Sequence, residues 1–579
     1  VFAVELVVDA PTELVFSLPV WLRGSYLLRD FAKHISGLSA ARGGLAVPVT
    51  RLDKSRLSVP AGVGALTLRY RVYAFDASVR KAFLDTRRGF FNFSSLCYLP
   101  EGFEQAQFLV DLPRPEHAAA SAWKVATALP AVTVDAAGFG RYSAQSYEHL
   151  IDSPVELADY QRLDFEAEGM AHSVALSGRS LPLDAARLAA DLGKICAVQR
   201  RFFGGEPTMP RYWFLTQLTA DGYGGLEHRE STALVCSRND LPQPGEVGLT
   251  REYRTFLGLV SHEYFHTWNV KRITPHAFAE SRLQAPAYTQ DLWHYEGVTS
   301  YYDDLFLLRA GILDADSYLD VLAETATRLE RTPARRVHSL ADASFETWIK
   351  YYQPDEDSVN TSTNYYVKGA LVALLLDLKL RAESSISLDT VLQALWQRYG
   401  RSDTPAPEGA LAQVAAELSG LDLTSFFDAC LHQTTELPLA AALERFGVRA
   451  ERRAPVSERD AGGRVHGRAH KRSLGLKLQS DGRVAHVLRH SPAQQAGLAG
   501  GDQIISLAGL KVTGSNWQAR LDALPADATA ELLWFRGDEL MRADVLPIAA
   551  AEDTWTFTRM AAENIDADSL ARRSAWLGA

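Results

Sequence analysis

Ser261-His262-Glu263-Tyr264-Phe265-His266 sets two histidines four residues apart, with a glutamate directly after the first. The spacing dictates local structure, because imidazoles at i and i+4 reach one ion when the backbone between them is an α-helix. At about 100° per residue from His262, His266 falls at about 40°. Tyr253, Phe256, Leu257, Val260, Tyr264, Thr267 and Trp268 fall between about 120° and 240°. The segment thus predicts a helix that rests an apolar face on a core and turns its histidines toward a cleft or solvent.

Catalytic zinc takes three protein ligands and keeps one position open. Trp293-His294-Tyr295-Glu296-Gly297 predicts a second helix, whose Glu296 is the candidate third ligand. Ser300 and Asp303 share its face as candidate acceptors for a ligand imidazole. One zinc ion per chain on His262, His266 and Glu296 would bring the pKa of a bound water to about 7. Glu263 stands one helical step from both histidines, placed to take that proton and pass it to a leaving amine. Amide hydrolysis is the reaction this set predicts, with a further donor needed for the oxyanion.

Composition narrows the rest. A net charge of −10 over 579 residues leaves no global basic field for nucleic acid or anionic lipid. Cys97, Cys196, Cys236 and Cys430 are far apart with no C-x-x-C, which argues for buried thiols and against a disulfide framework or a cysteine-built zinc site. No apolar run approaches 18 residues, so a soluble chain without a membrane span is expected. The start, Val1 to Asp9, reads as a strand and not as a secretory signal, which favours the cytoplasm. It lacks an initiator methionine, so a removed leader and a periplasmic or secreted location stay open.

Four segments follow from texture. Residues 1–170 show short β-like runs, among them Leu14 to Val20, Leu57 to Pro60, Leu66 to Phe75, Gln107 to Leu112 and Val132 to Val134. The aromatic stretch Arg88 to Phe93 reads as core packing. Residues 171–448 begin with a helix at Asp184 to Phe203 and a strand at Tyr212 to Leu218, then continue as helices. Residues 449–550 open with an exposed connector rich in Arg, Glu, Gly and His and continue as a compact β-rich unit from Leu474. Residues 551–579 read as a tail ending in a docked helix.

His262-Glu263-x-x-His266 followed by Trp293-x-x-Glu296-Gly297 resembles the gluzincin metallopeptidases. His266-Thr-Trp-Asn-Val-Lys-Arg-Ile273 is similar to one branch, the PDZ-containing glycyl aminopeptidases, metallopeptidase family sixty-one. Gly224-Gly225-Leu226-Glu227-His228 resembles the exopeptidase motif, whose glutamate holds the substrate's α-amine. It departs from Met-Glu-Asn at Leu226 and His228, leaving the roles around Glu227 open. Tyr366-Val367-Lys368-Gly369 resembles the segment whose tyrosine stabilises the oxyanion, with Tyr365 as competitor. Ser473-Leu474-Gly475-Leu476, with Ser491-Pro492-Ala493 and Gly501-Asp502, resembles a PDZ domain. Residues 73–80, Tyr73 to Arg80, resemble the N-terminal part of the family more loosely.

The resemblance implies a multidomain α+β chain: an all-β N-terminal domain, a thermolysin-like zinc peptidase domain and a C-terminal PDZ domain. It also implies an aminopeptidase that removes small residues, glycine and alanine, from peptides with a free N-terminus, and a PDZ groove at Leu474, Gly475 and Leu476 for a C-terminal peptide or protein partner. Two rival readings are an endopeptidase with the same zinc chemistry and a PDZ scaffold carrying an inactive peptidase domain. Neither composition nor motif speaks to the oligomeric state.

Overall fold

Alternation of apolar and polar residues along Leu66–Val72 buries Leu66, Leu68, Tyr70 and Val72 on one face and turns Arg69 and Arg71 outward. This strand pairs antiparallel with Phe2–Val8 and Ile35–Arg42, in a four-stranded sheet that Leu45–Val47 completes. The computed structural model describes residues 1–578 and divides them into two compact units. The first comprises Val1–Tyr288 with Leu395–Pro407, the second, within the described residues, Thr289–Ala394 with 408–578.

In the first unit, two further four-stranded sheets and a three-stranded one complete the β-rich N-terminal part. The expected strands are there, with Leu14–Ser17 and Leu66–Val72 shorter than read from sequence. Phe90, Phe91 and Phe93 are buried, as core packing requires. A five-stranded mixed sheet follows, in the order Gln161–Ala167, Met170–Ser177, Tyr212–Thr219, Ser231–Ser237 and Gly224–Glu227. Its first hairpin straddles the 170/171 boundary drawn from sequence. Helix Ala185–Phe202 makes the crossover between the two parallel neighbours Met170–Ser177 and Tyr212–Thr219. Helix Arg251–Phe265 packs on this sheet beside its edge strand.

The second unit is built around Tyr365–Glu383, a helix buried along most of its length from Tyr365 to Leu380. It crosses the segment Trp293–Val298 at a pair of glycines. A Cβ on Gly297 would lie 2.5 Å from the Gly369 Cα and 2.9 Å from the Tyr365 carbonyl oxygen, both backbone atoms. The WxxEG and YxKG strings are thus two halves of one close crossing. Gly297→Ala is expected to destabilise the protein by about 3 kcal/mol, the upper end of overpacking, because helix backbone cannot step aside. Thermal unfolding checks this, and an unchanged midpoint would contradict it.

The tail differs from expectation. Val448–Arg453 is a strand with Arg449, Glu451 and Arg452 exposed, as read from sequence, and it pairs antiparallel with Thr554–Arg559, so the tail contributes a strand before its helix, Ala567–Leu577. Charges in this stretch are compensated locally. Arg453 pairs with Asp460, which is 3% exposed, and Arg331 reaches Asp553, the Asp460 carbonyl and Thr554. Between these strands a separate core forms around Leu474, Ile504, Trp517, Leu532 and Trp534.

Among the described residues no helix is long and apolar enough to cross a membrane, and all four cysteines are free.

Candidate functional site

Thr250 caps the helix Arg251–Phe265 by accepting from the Tyr253 amide. Tyr253, Phe256, Leu257, Val260 and Tyr264 are buried, as the periodicity predicts. On the opposite side Arg251, Glu252 and Thr255 are exposed and His262 is half-buried, while toward the helix end Glu263 is 5% and His266 1% exposed. Phe265 is the last helical residue, and His266 as C-cap keeps αR geometry, so the four-residue spacing survives. The two imidazoles stand with centroids 4.6 Å apart, edge to face.

His266 Nδ1 donates to the Asn269 carbonyl oxygen at 2.7 Å. With the proton on Nδ1, the lone pair is on Nε2, the state a metal ligand needs. The turn that returns this carbonyl puts Val270 at φ 136°, a left-handed conformation that costs a β-branched residue about 1–3 kcal/mol. For His266, the orienting acceptor is therefore a backbone carbonyl in its own motif. Ser300 and Asp303 lie half-buried on Thr299–Arg309, where Asp303 accepts from the Asp304 amide.

Gly224–Glu227 forms the edge strand beside this helix. Gly224 needs its identity for conformation, at φ 147°, whereas Gly225 needs it for contact. A Cβ on Gly225 would stand 2.2 Å from a Glu263 carboxylate oxygen. Glu227 is 3% exposed, its Oε1 without a hydrogen-bond partner among the described residues. Its carboxylate lies over Gly24 of the N-terminal domain, where φ is +89° and an added Cβ would come within 2.3 Å of Glu227 Oε1. Glu227, Glu263 and His266 each offer one donor atom, all within 4.8 Å of one another.

Asp152, which sequence reading missed, ties the motifs together. Its carboxylate receives Lys271 Nζ at 2.6 Å, meets His228 Nδ1 at 3.1 Å and accepts from the Arg229 amide. This accounts for histidine where the better-known motif has asparagine, and for Lys271 in the motif after His266. No local signal marks Asp152, the residue after the short helix Tyr147–Ile151. Burial alone would raise its pKa, but the Lys271 ammonium and His228 override this and hold the carboxyl well below the usual range. The stability it contributes is thus complete above the unfolded-state value of about 3.9 and is lost as pH falls through the depressed folded value. Asp152→Asn is expected to cost about 3–5 kcal/mol at pH 7, by leaving Lys271 buried without its carboxylate. Denaturant melts at pH 7 check the loss, and melts of the native protein below pH 4 check the acid limb.

In the second unit, Glu296 is 2% exposed on a π-helical turn, Trp293–Val298. Asn364 caps the crossing helix through the Tyr366 and Val367 amides. The Tyr365 hydroxyl accepts from Thr347 Oγ1 at 3.0 Å, while Tyr366 is less buried than Tyr365. Elsewhere in the same unit, Leu474, Gly475 and Leu476 line a cleft of about 640 Å³ together with Trp517 and Leu521. The Gly475 amide donates to Ser473 Oγ at 3.0 Å.

Two family models match the chain. Residues 255–372 match M61 glycyl aminopeptidase, and residues 1–159 match the peptidase M61 N-terminal domain. An aminopeptidase N family protein from Idiomarina loihiensis is similar over 99% of this chain and 97% of its own, at 36% identity and a TM-score of 0.94. Likeness to an M1 zinc metallopeptidase from Deinococcus radiodurans is weaker, with 15% identity, 76% of this chain and 90% of that one covered, and a TM-score of 0.46. No curated protein matches the chain.

Proposed function

This chain belongs to the M61 glycyl aminopeptidase family, and on that premise we propose that it is a zinc-dependent aminopeptidase taking glycine or alanine from the free N-terminus of peptides. The observation that carries the reading is the buried group of Glu227, Glu263 and His266, with donor atoms within 4.8 Å. On this reading the three serve as amine anchor, general base and metal ligand for one substrate residue.

His262, His266 and Glu296 are the proposed zinc ligands, a set of two imidazoles and one carboxylate that suits a catalytic site. The Asn269 carbonyl supports the required tautomer at His266. Asp303 and Ser300 remain candidate acceptors for His262. Zinc, when bound, supplies a Lewis acid that makes water nucleophilic near neutral pH.

The chain's own groups do the rest. Glu227 receives the substrate ammonium in a charge-assisted hydrogen bond, which fixes the first peptide bond in place. Glu263 takes a proton from the attacking water and delivers it to the departing amine. Tyr366, the tyrosine of the Tyr366-Val367-Lys368-Gly369 segment and the less buried of the pair, is the proposed oxyanion donor, with Tyr365 as its competitor. Gly24, pressed against Glu227, supports a low roof over the first residue and hence the preference for small side chains.

By the same family likeness we assign the proposed domains as 1–170, 171–448, 449–550 as a PDZ module with its connector, and 551–579. The separate core around Leu474 and Trp534 supports the third of these. A C-terminal peptide or protein partner at Leu474, Gly475 and Leu476 is part of this proposal.

The test compares glycyl and alanyl peptides with free and N-acetylated ends on zinc-loaded protein. Turnover is expected only with the free amine, and one zinc per chain by elemental analysis. Equal cleavage of acetylated peptides would replace the reading with an endopeptidase.

A further inference from the structure

The sheet edge beside Glu263 ends under a cation that none of the chemistry above employs. Arg80, from the N-terminal domain, donates through Nη2 to the Gly225 carbonyl oxygen at 3.2 Å. Its Nε is buried without a hydrogen-bond partner, and no carboxylate pairs with its guanidinium among the described residues. A guanidinium left without a counter-ion in a part-buried position is unusual, since such groups normally pair.

The ladder shows which way this edge faces. The His228 amide bonds the Ser231 carbonyl, and the register runs Glu227 to Thr232, Leu226 to Ala233 and Gly225 to Leu234. Inward-bonding pairs alternate along an antiparallel ladder. His228 and Leu226 therefore bond inward, while Glu227 and Gly225 present their backbone groups to the free edge. A peptide added antiparallel to this edge, with its amine at Glu227, runs toward Gly225.

Two strand residues span about 6.6 to 6.8 Å, and an extended dipeptide spans about 7 Å. With its amine at Glu227, a dipeptide places its terminal carboxylate at Gly225, under Arg80. We infer that Arg80 is a substrate-binding residue that takes the C-terminal carboxylate of a dipeptide, so that Glu227 and Arg80 together measure substrate length. The planar fork of arginine suits a carboxylate held through two parallel hydrogen bonds. The inference rests on the aminopeptidase reading and adds to it a substrate class, free dipeptides.

Full-length zinc-loaded enzyme is assayed on Gly-Ala, its C-terminal amide Gly-Ala-NH2, and Gly-Ala-Ala-Ala. The native protein is expected to favour Gly-Ala over its amide by roughly 10- to 100-fold in kcat/KM, the range of a charge-assisted hydrogen bond, carried mainly by KM. In Arg80→Ala that ratio should fall to about threefold or less, with Arg80→Lys between. Equal native efficiency on acid and amide, or on Gly-Ala and the tetrapeptide, would overturn the inference and leave the aminopeptidase reading standing. So would an equal loss on acid and amide in Arg80→Ala, which marks a structural role. Hydrolysis of none of the three would remove the aminopeptidase reading and this inference with it.

Discussion

Glu263→Gln is expected to lower kcat on a glycyl peptide by ~10²–10⁴-fold, the range that a positioned general base contributes. Glutamine matches glutamate in size, so the tight contact with Gly225 persists and the helix keeps its packing. What is lost is the ability to hold a proton between water and the leaving amine. The variant should still carry zinc, because His262, His266 and Glu296 are untouched. Steady-state kinetics beside elemental analysis separate the two effects. A fall of less than tenfold with zinc retained would place the base elsewhere.

Glu227→Gln is expected to be almost as damaging, for a different reason. A buried charge bonded to a charged partner costs about 2–5 kcal/mol when one side is neutralised. At about 1.4 kcal/mol per decade this is roughly a 30- to 3,000-fold loss of kcat/KM for peptides with a free amine. Acetylated peptides never used that interaction, so the discrimination between free and blocked ends should shrink in the variant. Retained discrimination would mean that another group reads the amine.

The parts of the fold legible in sequence are those in which a short string carries its own geometry. His262 and His266 required a helix, and the pattern from Tyr253 to Tyr264 named its buried face. Leu66–Val72 was readable because alternation is local. What escaped was set by tertiary partners. Burial of Glu263 and His266 arises from packing that helical periodicity does not encode. Asp152 lies more than seventy residues from His228 and over a hundred from Lys271, so no window of sequence shows the three as one network. The connector after Val448 read as an exposed strand and loop, and Arg449, Glu451 and Arg452 are exposed, but nothing local marks Asp460 as the partner of Arg453 or Thr554–Arg559 as the partner of the strand. Gly297 and Gly369 each belonged to a recognisable string, but their mutual contact was visible only in the crossing itself.

Asp152 has a bearing on how this protein can be dissected. The N-terminal β-rich part contributes the carboxylate that neutralises Lys271, the glycine pressed against Glu227 and the arginine at Gly225. A fragment begun at Gln161 would retain the five-stranded sheet and both histidines, yet expose the Lys271 ammonium and the Glu227 carboxylate to partners they did not evolve with. Shuffling this N-terminal part between relatives should then transplant substrate choice along with it, making the first 160 residues an exchangeable cartridge for specificity.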